Sequence, residues 1–259
     1  MRIRLFLLLL IPLTLACAAS SDAPALRVMT SNIHHGEGLD GRLDLERIAK
    51  VITDARVDIV GLQEVDRGVE RTQRRNLPAE LARLTGLAVR FESNLPHQGG
   101  EYGNAVLSRF PIKASRNTRY RAPRPGEQRG FLQVTVEAHG REILFINTHL
   151  DFRAGDEERL ASVDELRAAV TAAGPKPVIM VGDFNAVPAS APITRVAEFM
   201  RDAWTVVGAG AGFTIPVRKP AKRIDYIWFS PGALTPVNAT VINSEASDHL
   251  PVVIEFRLN

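Results

Sequence analysis

A chain of 259 residues with 45% hydrophobic and 24% charged residues has the make-up of a globular protein, which excludes a disordered chain, a collagen-like fibre and a multi-span membrane protein. Its one cysteine, Cys17, excludes a disulfide-stapled scaffold. The net charge of +3 shrinks once Arg2 and Arg4 are set aside, leaving 30 basic against 29 acidic residues, so bulk charge indicates no anionic partner.

Residues 1–18 read as a signal peptide. Arg2 and Arg4 precede an apolar core from Leu5 to Leu15, broken only by Pro12 and Thr14, and small residues follow at Ala16, Ala18, Ala19 and Ser20. The core is too short for a permanent membrane span. Two processing routes fit. Ala16-Cys17-Ala18 offers an A-x-A site with cleavage before Ala19. Thr14-Leu15-Ala16-Cys17 resembles a lipobox, in which Cys17 would be lipidated and become the first residue, although Thr14 replaces the usual bulky aliphatic. The expected location is therefore extracytoplasmic: secreted, periplasmic or lipid-anchored at the cell envelope. Membrane association is expected only through Cys17, and no protein partner is evident. Residues 19–25 read as a linker and 26–259 as one domain.

Along that domain, short β-branched-rich runs bounded by turn residues predict strands at Leu26 to Ile33, Val57 to Leu62, Ala105 to Ser108, Ile143 to Thr148, Val178 to Val181, Ile224 to Phe229 and Val252 to Phe256. Helical spacing predicts helices at Leu43 to Ile52, Pro78 to Leu84 and Asp156 to Ala173, the last with Leu160, Val163, Leu166 and Val170 on one face. The interleaving predicts a layered α/β fold. No helical pattern separates the strands around Ala105 to Ile146, so that part of the sheet should be antiparallel and the whole mixed.

Polar groups cluster where these strands end. Asn32 and His34-His35 close the first, Gln63-Glu64 and Asp66 the second, Asn147-Thr148-His149 the third, and Asp183-Phe184-Asn185 the fourth; Arg223-Ile224-Asp225-Tyr226 lies on another, and Ser247-Asp248-His249 precedes the last. Buried strands have no packing reason to carry such groups, and loops at strand ends are where α/β proteins usually place their sites. Carboxylates, amides and imidazoles without a cysteine suit a hard divalent cation, Mg²⁺ or Mn²⁺. Glu64, a carboxylate at a strand end, is the strongest ligand candidate.

As a set, Leu62-Gln63-Glu64, Gly182-Asp183-Phe184-Asn185 and Ser247-Asp248-His249 resemble the endonuclease/exonuclease/phosphatase superfamily, the DNase I-like metal-dependent phosphoesterases. The resemblance spans Arg27 to Phe256. It implies a four-layer α/β sandwich, with two mixed β-sheets face to face, helices outside and the site at one edge. It implies that Asn32 and Asp248 join Glu64 around the metal, and that Asp183 orients or deprotonates the attacking water. Asn185 would donate to the developing charge. Asp225 would orient His249, and His149 would contact the scissile phosphate or protonate the leaving group. Glu101 would then orient His149. Tyr102 to Arg109 resembles the family's rim segment, which makes Asn104 a substrate contact. His34 stands where members acting on abasic DNA often carry an acid; it and His35 remain open as ligands, substrate contacts or solvent-facing residues. His97 and His139 read as surface residues.

Arg109 to Arg129 holds Arg109, Lys113, Arg116, Arg119, Arg121, Arg124 and Arg129 against Glu127 alone, and Arg67, Arg71, Arg74 and Arg75 form a second group. Both read first as solvated faces, with Arg129 the best candidate for a phosphate clamp. Tyr120 is the only Tyr or Trp in the longer run, which disfavours a nucleic-acid track. The expected activity is therefore an exported, divalent-metal-dependent phosphoric ester hydrolase. Its expected substrate is a lipid headgroup or small phosphodiester. The alternatives are a secreted nuclease and a non-catalytic surface binding module of the same fold.

Overall fold

The computed structural model describes residues 24–259. The expected signal peptide, Cys17 and all but the end of the expected 19–25 linker lie outside them. Twelve strands form two six-stranded sheets. In chain order the strands are β1 (Ala25–Asn32), β2 (Ile59–Arg67), β3 (Ala88–His97), β4 (Gly100–Ser108), β5 (Ile112–Arg119) and β6 (Gly130–Ala138), then β7 (Arg141–His149), β8 (Val178–Asp183), β9 (Arg201–Asp202), β10 (Asp225–Phe229), β11 (Leu234–Val241) and β12 (Val252–Leu258). The first sheet runs β11-β12-β1-β2-β4-β3 and the second β5-β6-β7-β8-β10-β9. Each is mixed as expected, with parallel pairing of β1 with β2 and of β7 with β8.

The inner faces of the two sheets meet in one core that includes Val28, Ile59, Val106, Val134, Phe145, Val181, Ile227 and Ile254. Outside the first sheet lie α1 (Leu45–Asp54) and α2 (Leu77–Thr85), burying Ile48, Ile52, Leu77 and Leu81 against it. Outside the second lie α3 (Glu157–Ala172) and α4 (Ala191–Ala197), burying Val163, Leu166, Ile193 and Val196. A short α5 (Ala203–Val207) follows β9. This is the four-layer sandwich. The helix starts are set locally: the Asp44 side chain accepts from Arg47 N, and that of Asn76 from Ala79 N.

The predicted helices and strands are present, with ends within two residues of the expected ones except the C-terminal end of β2 and the N-terminal end of β4, which each run five residues further. The sequence pattern names none of the four edge strands, β3, β5, β9 and β11, nor the inner strand β6; β3 and β5 alternate only weakly between buried and exposed positions. It also stops β2 too early: the strand continues through Arg67, past a bulge between Leu62 and Val65.

A buried polar clasp joins the sheets beneath the site. Asn147 on β7 donates to Leu62 O and Ala105 O, both at 2.8 Å, and accepts from Gln63 Nε2 at 2.6 Å. Gly61 permits that approach, because a Cβ there would sit 2.4 Å from Val181 Cγ2 and 2.9 Å from Asn147. Gln63 is therefore a structural link, while the bulge, with Glu64 at φ +59°, turns the next side chain toward the cleft.

Candidate active site

Parallel pairing brings the C-terminal ends of β1, β2, β7 and β8 to one edge of the sandwich, carrying Asn32, Glu64, His149 and Asp183. Across the second sheet the register places His149, Asp183 and Asp225 in one row, with Gly130 opposite His149. Ser247 ties in the last loop: its hydroxyl donates to Asn32 O at 2.7 Å and accepts from His249 N at 3.3 Å.

A cleft of about 570 Å³ opens there, lined by Glu64, Arg129, His149, Asp183, Asn185 and His249, and further out by Arg71, Tyr102, His97 and Phe152. Asn32 and Asp225 stand behind this wall. Asn32 Nδ2 lies 2.9 Å from Glu64 Oε1 and 3.1 Å from Asp183 Oδ2. Asp225 Oδ2 accepts from His249 Nδ1 at 2.9 Å. Half-buried Asp248 lies beside them, with Oδ1 3.3 Å from Ser247 Oγ.

Burial and the neighbouring charge of Asp225 push Asp183 up, to about 7. Burial opposes protonation of His249, but Asp225 and Asp183 outweigh it and raise that imidazole to about 10. His149 goes the other way. Burial, then the charges of Arg129 and His249, hold it well below the usual histidine range. Arg129 Nη1 faces His149 Nδ1 at 2.5 Å, and a guanidinium only donates, so the imidazole proton sits on Nε2. That nitrogen lies 3.1 Å from Asn185 Nδ2 and 3.4 Å from Asp183 Oδ2. The site thus pairs one cationic and one neutral imidazole around a single carboxyl.

A turn separates Asp183 from Asn185, which has φ +47°, and buried Phe184, packed on Tyr226 and Trp228, lies between them. Several expectations are corrected. Glu101 does not orient His149, because it is paired with Arg67 at 2.7 Å. Asn104 spends its amide on Gly130 O at 3.1 Å, between the sheets, and does not line the cleft. His34 also lies off the cleft wall. His97 belongs to the wall instead of the open surface, against Tyr102. Arg71 was grouped with helix-face arginines, but it enters the cleft wall held by buried Asp66 at 2.7 and 2.9 Å. An acid within a strand followed five residues later by arginine was the available signal. Nothing in the sequence pattern marks Leu95 or Phe152.

The model of the Endonuclease/Exonuclease/phosphatase family matches residues 29–249, and the chain belongs to that family. Its members are generally hydrolytic phosphoesterases and typically depend on a divalent metal, so this is a phosphoesterase-type protein, with an Asp183/Asp225/His249 cluster at its centre. The Escherichia coli K12 protein YbhP is 28% identical over 249 residues, which is 90% of this chain and 97% of its own. An endonuclease/exonuclease/phosphatase from Beutenbergia cavernae is 27% identical with a TM-score of 0.73, the match covering 91% of this chain and 72% of that one. The human Nocturnin catalytic domain, solved with a bound sulfate anion, is 26% identical with a TM-score of 0.72, covering 91% and 95%.

Proposed function

We propose that the protein is an exported, divalent-metal-dependent phosphoric ester hydrolase that acts on a lipid headgroup or another small phosphodiester. The observation that carries the reading is the convergence of Glu64, His149, Asp183 and His249 on one cleft, with Asn32 and Asp225 tied behind them. The donor chemistry fits a hard cation. Glu64 faces the Asn32 amide, Asp225 Oδ1 is buried with no hydrogen-bond donor among the described residues, and Asp183 is raised to about 7 by burial and by the charge of Asp225. Glu64, Asn32 and Asp248 would hold Mg²⁺ or Mn²⁺, which when bound supplies charge neutralisation for phosphoryl and leaving oxygens.

The remaining roles follow from protonation. Asp183, poised near 7, accepts the proton of the attacking water. His249, kept cationic by Asp225, offers a charged Nε2–H to a phosphoryl or leaving oxygen. His149, neutral and protonated on Nε2, orients and donates without acting as the acid. The Asn185 amide lies beside it with its Nδ2 donating to Leu150 O, and Arg129 brings a second arginine, with Arg71, to the cleft. Together these groups supply the three requirements of phosphodiester hydrolysis: an activated water, charge neutralisation and a proton for the alkoxide.

The cleft dimensions support a small substrate. Phe152, 61% exposed beside Arg129, and Leu95 add an apolar lip that suits a headgroup with attached chains. A nucleic-acid track is disfavoured because four of the seven cations in the basic run pair with acids of other elements: Arg109 with Asp58, Lys113 with Glu137, Arg121 with Glu165 and Arg124 with Glu158. Turnover of bis-p-nitrophenyl phosphate, phospholipid vesicles and plasmid DNA, each with and without EDTA, tests the reading. Metal-dependent cleavage of the first two is expected. Preferential plasmid nicking would establish the nuclease instead, and absence of all turnover the binding module. Export is tested by the mature N-terminus, either Ala19 or lipidated Cys17.

A further inference from the structure

Beyond β1 the chain enters a single 3₁₀ turn, His34–Gly36, that the hydrolytic chemistry leaves unused. His34 and His35 adopt φ of +43° and +44°, a left-handed backbone region that residues with side chains rarely adopt. Backbone hydrogen bonds hold the turn: Gly36 N to Ile33 O, Glu37 N to His34 O and Asp44 N to Gly36 O. On a strand, consecutive side chains would point to opposite faces. Here they land together, with ring centroids 4.4 Å apart and ring planes at 62°. His35 Nε2 lies 3.6 Å from Glu37 Oε2, and one donor atom from each of His34, His35 and Glu37 falls within 4.8 Å of the others.

The protonation pattern suits ligation. His34 Nδ1 sits 3.3 Å from Glu37 O, and since a carbonyl only accepts, that nitrogen carries the proton and Nε2 keeps its lone pair. A ligating imidazole typically donates its other N–H to just such an oxygen. His35 Nδ1 is buried with no partner among the described residues. Burial and then the charge of Arg71 hold His35 below the usual histidine range, so its ring is neutral and keeps a lone pair, while Asp66, paired with Arg71, and Glu64 partly offset that charge.

We propose that His34, His35 and Glu37 form a second cation site, for a borderline divalent transition ion such as Zn²⁺, separate from the oxygen-donor position at Glu64. Two imidazoles and one carboxylate are a zinc donor set that leaves a coordination position open. Imidazole nitrogen selects such ions over Mg²⁺. The site also touches the catalytic edge: His34 N donates to Asn32 Oδ1 at 3.0 Å, and the Asn32 amide holds Glu64 and Asp183. A cation that fixes the turn fixes Asn32. The proposal does not rest on the hydrolase reading.

The test is equilibrium dialysis of the chelator-stripped protein against Zn²⁺, with metal quantified, and against Co²⁺, followed by visible absorption, both in excess Mg²⁺ to fill the hard site. One equivalent should bind to the wild type and to Glu64→Gln. Glu37→Gln and His35→Asn should each weaken it, by more than about 100-fold, since loss of a direct ligand exceeds the 10–100-fold cost of losing an outer partner. Asn tolerates the left-handed backbone at position 35, and the 41% exposed Glu37 side chain makes its replacement structurally mild. Binding that survives both substitutions, or that disappears in Glu64→Gln alone, overturns the assignment.

Discussion

Replacing Asp183 with Asn should separate activity from stability in a pH-dependent way. In the metal-free protein Asp183 is raised from 3.8 to about 7 by burial and by the charge of Asp225. A raised carboxyl contributes stability that is full below its unfolded value and lost as pH rises through its folded value. The whole shift corresponds to at most about 4 kcal/mol of penalty on the ionised form. Asn carries no such penalty, so its stability relative to wild type should improve with pH. His249 gives part of this back. Its value of about 10 depends partly on Asp183, and its own stabilisation is full below 6.5 and lost as pH rises through about 10. A net relative gain of about 2 kcal/mol from pH 5 to pH 8 is expected, or about 4–8 °C in Tm for a domain of this size. Thermal unfolding of both proteins in EDTA at the two pH values measures it. In parallel, metal-dependent turnover by the Asn variant should fall ~10²–10⁴-fold. A Tm difference that does not change with pH, or activity retained in Asp183→Asn, refutes the reasoning.

The inter-sheet clasp predicts that Asn147→Ala removes the side-chain donor to Leu62 O and Ala105 O and the shortest acceptor of Gln63 Nε2, which keeps Thr30 Oγ1 and Gly61 O; urea denaturation should show a loss of about 3 kcal/mol or more. Gly61→Ala drives a Cβ toward Val181 and Asn147 and should cost about 1–3 kcal/mol in the same assay. A cost under about 0.5 kcal/mol would mean that the sheets are not so closely apposed. Arg129→Lys should not rescue the activity lost in Arg129→Ala, because one ammonium cannot satisfy His149 and a phosphate oxygen with the geometry of a guanidinium; equal rates in Lys and wild type would contradict this. Chelation should abolish turnover, with Mg²⁺ or Mn²⁺ restoring it to wild type but not to Glu64→Gln, as followed by steady-state hydrolysis.

Much of this protein is legible in one dimension. Hydrophobic runs bounded by turn residues mark the inner strands, because a strand buried on both faces must be apolar throughout, and polar residues at the ends of such strands stand out against that demand. Asn32, Glu64, His149, Asp183 and His249 are visible for that reason. What the chain cannot reveal in one dimension depends on which partner a polar group finds. Asn104 and Gln63 are spent between layers, Glu101 goes to Arg67, and four cations of the basic run pair with acids dozens of residues away. The bulge at Glu64, the positive φ of Asn185 and the convergence of His34 with His35 are backbone decisions enforced by neighbours in space. Above all, the opposite protonation of His149 and His249 comes from burial, reinforced by Arg129 at one ring and overridden by Asp225 and Asp183 at the other. Residue type sets a histidine's proton affinity near neutrality, but folding decides its burial and which charge stands beside it, and at these distances in a dry interior the two govern the outcome.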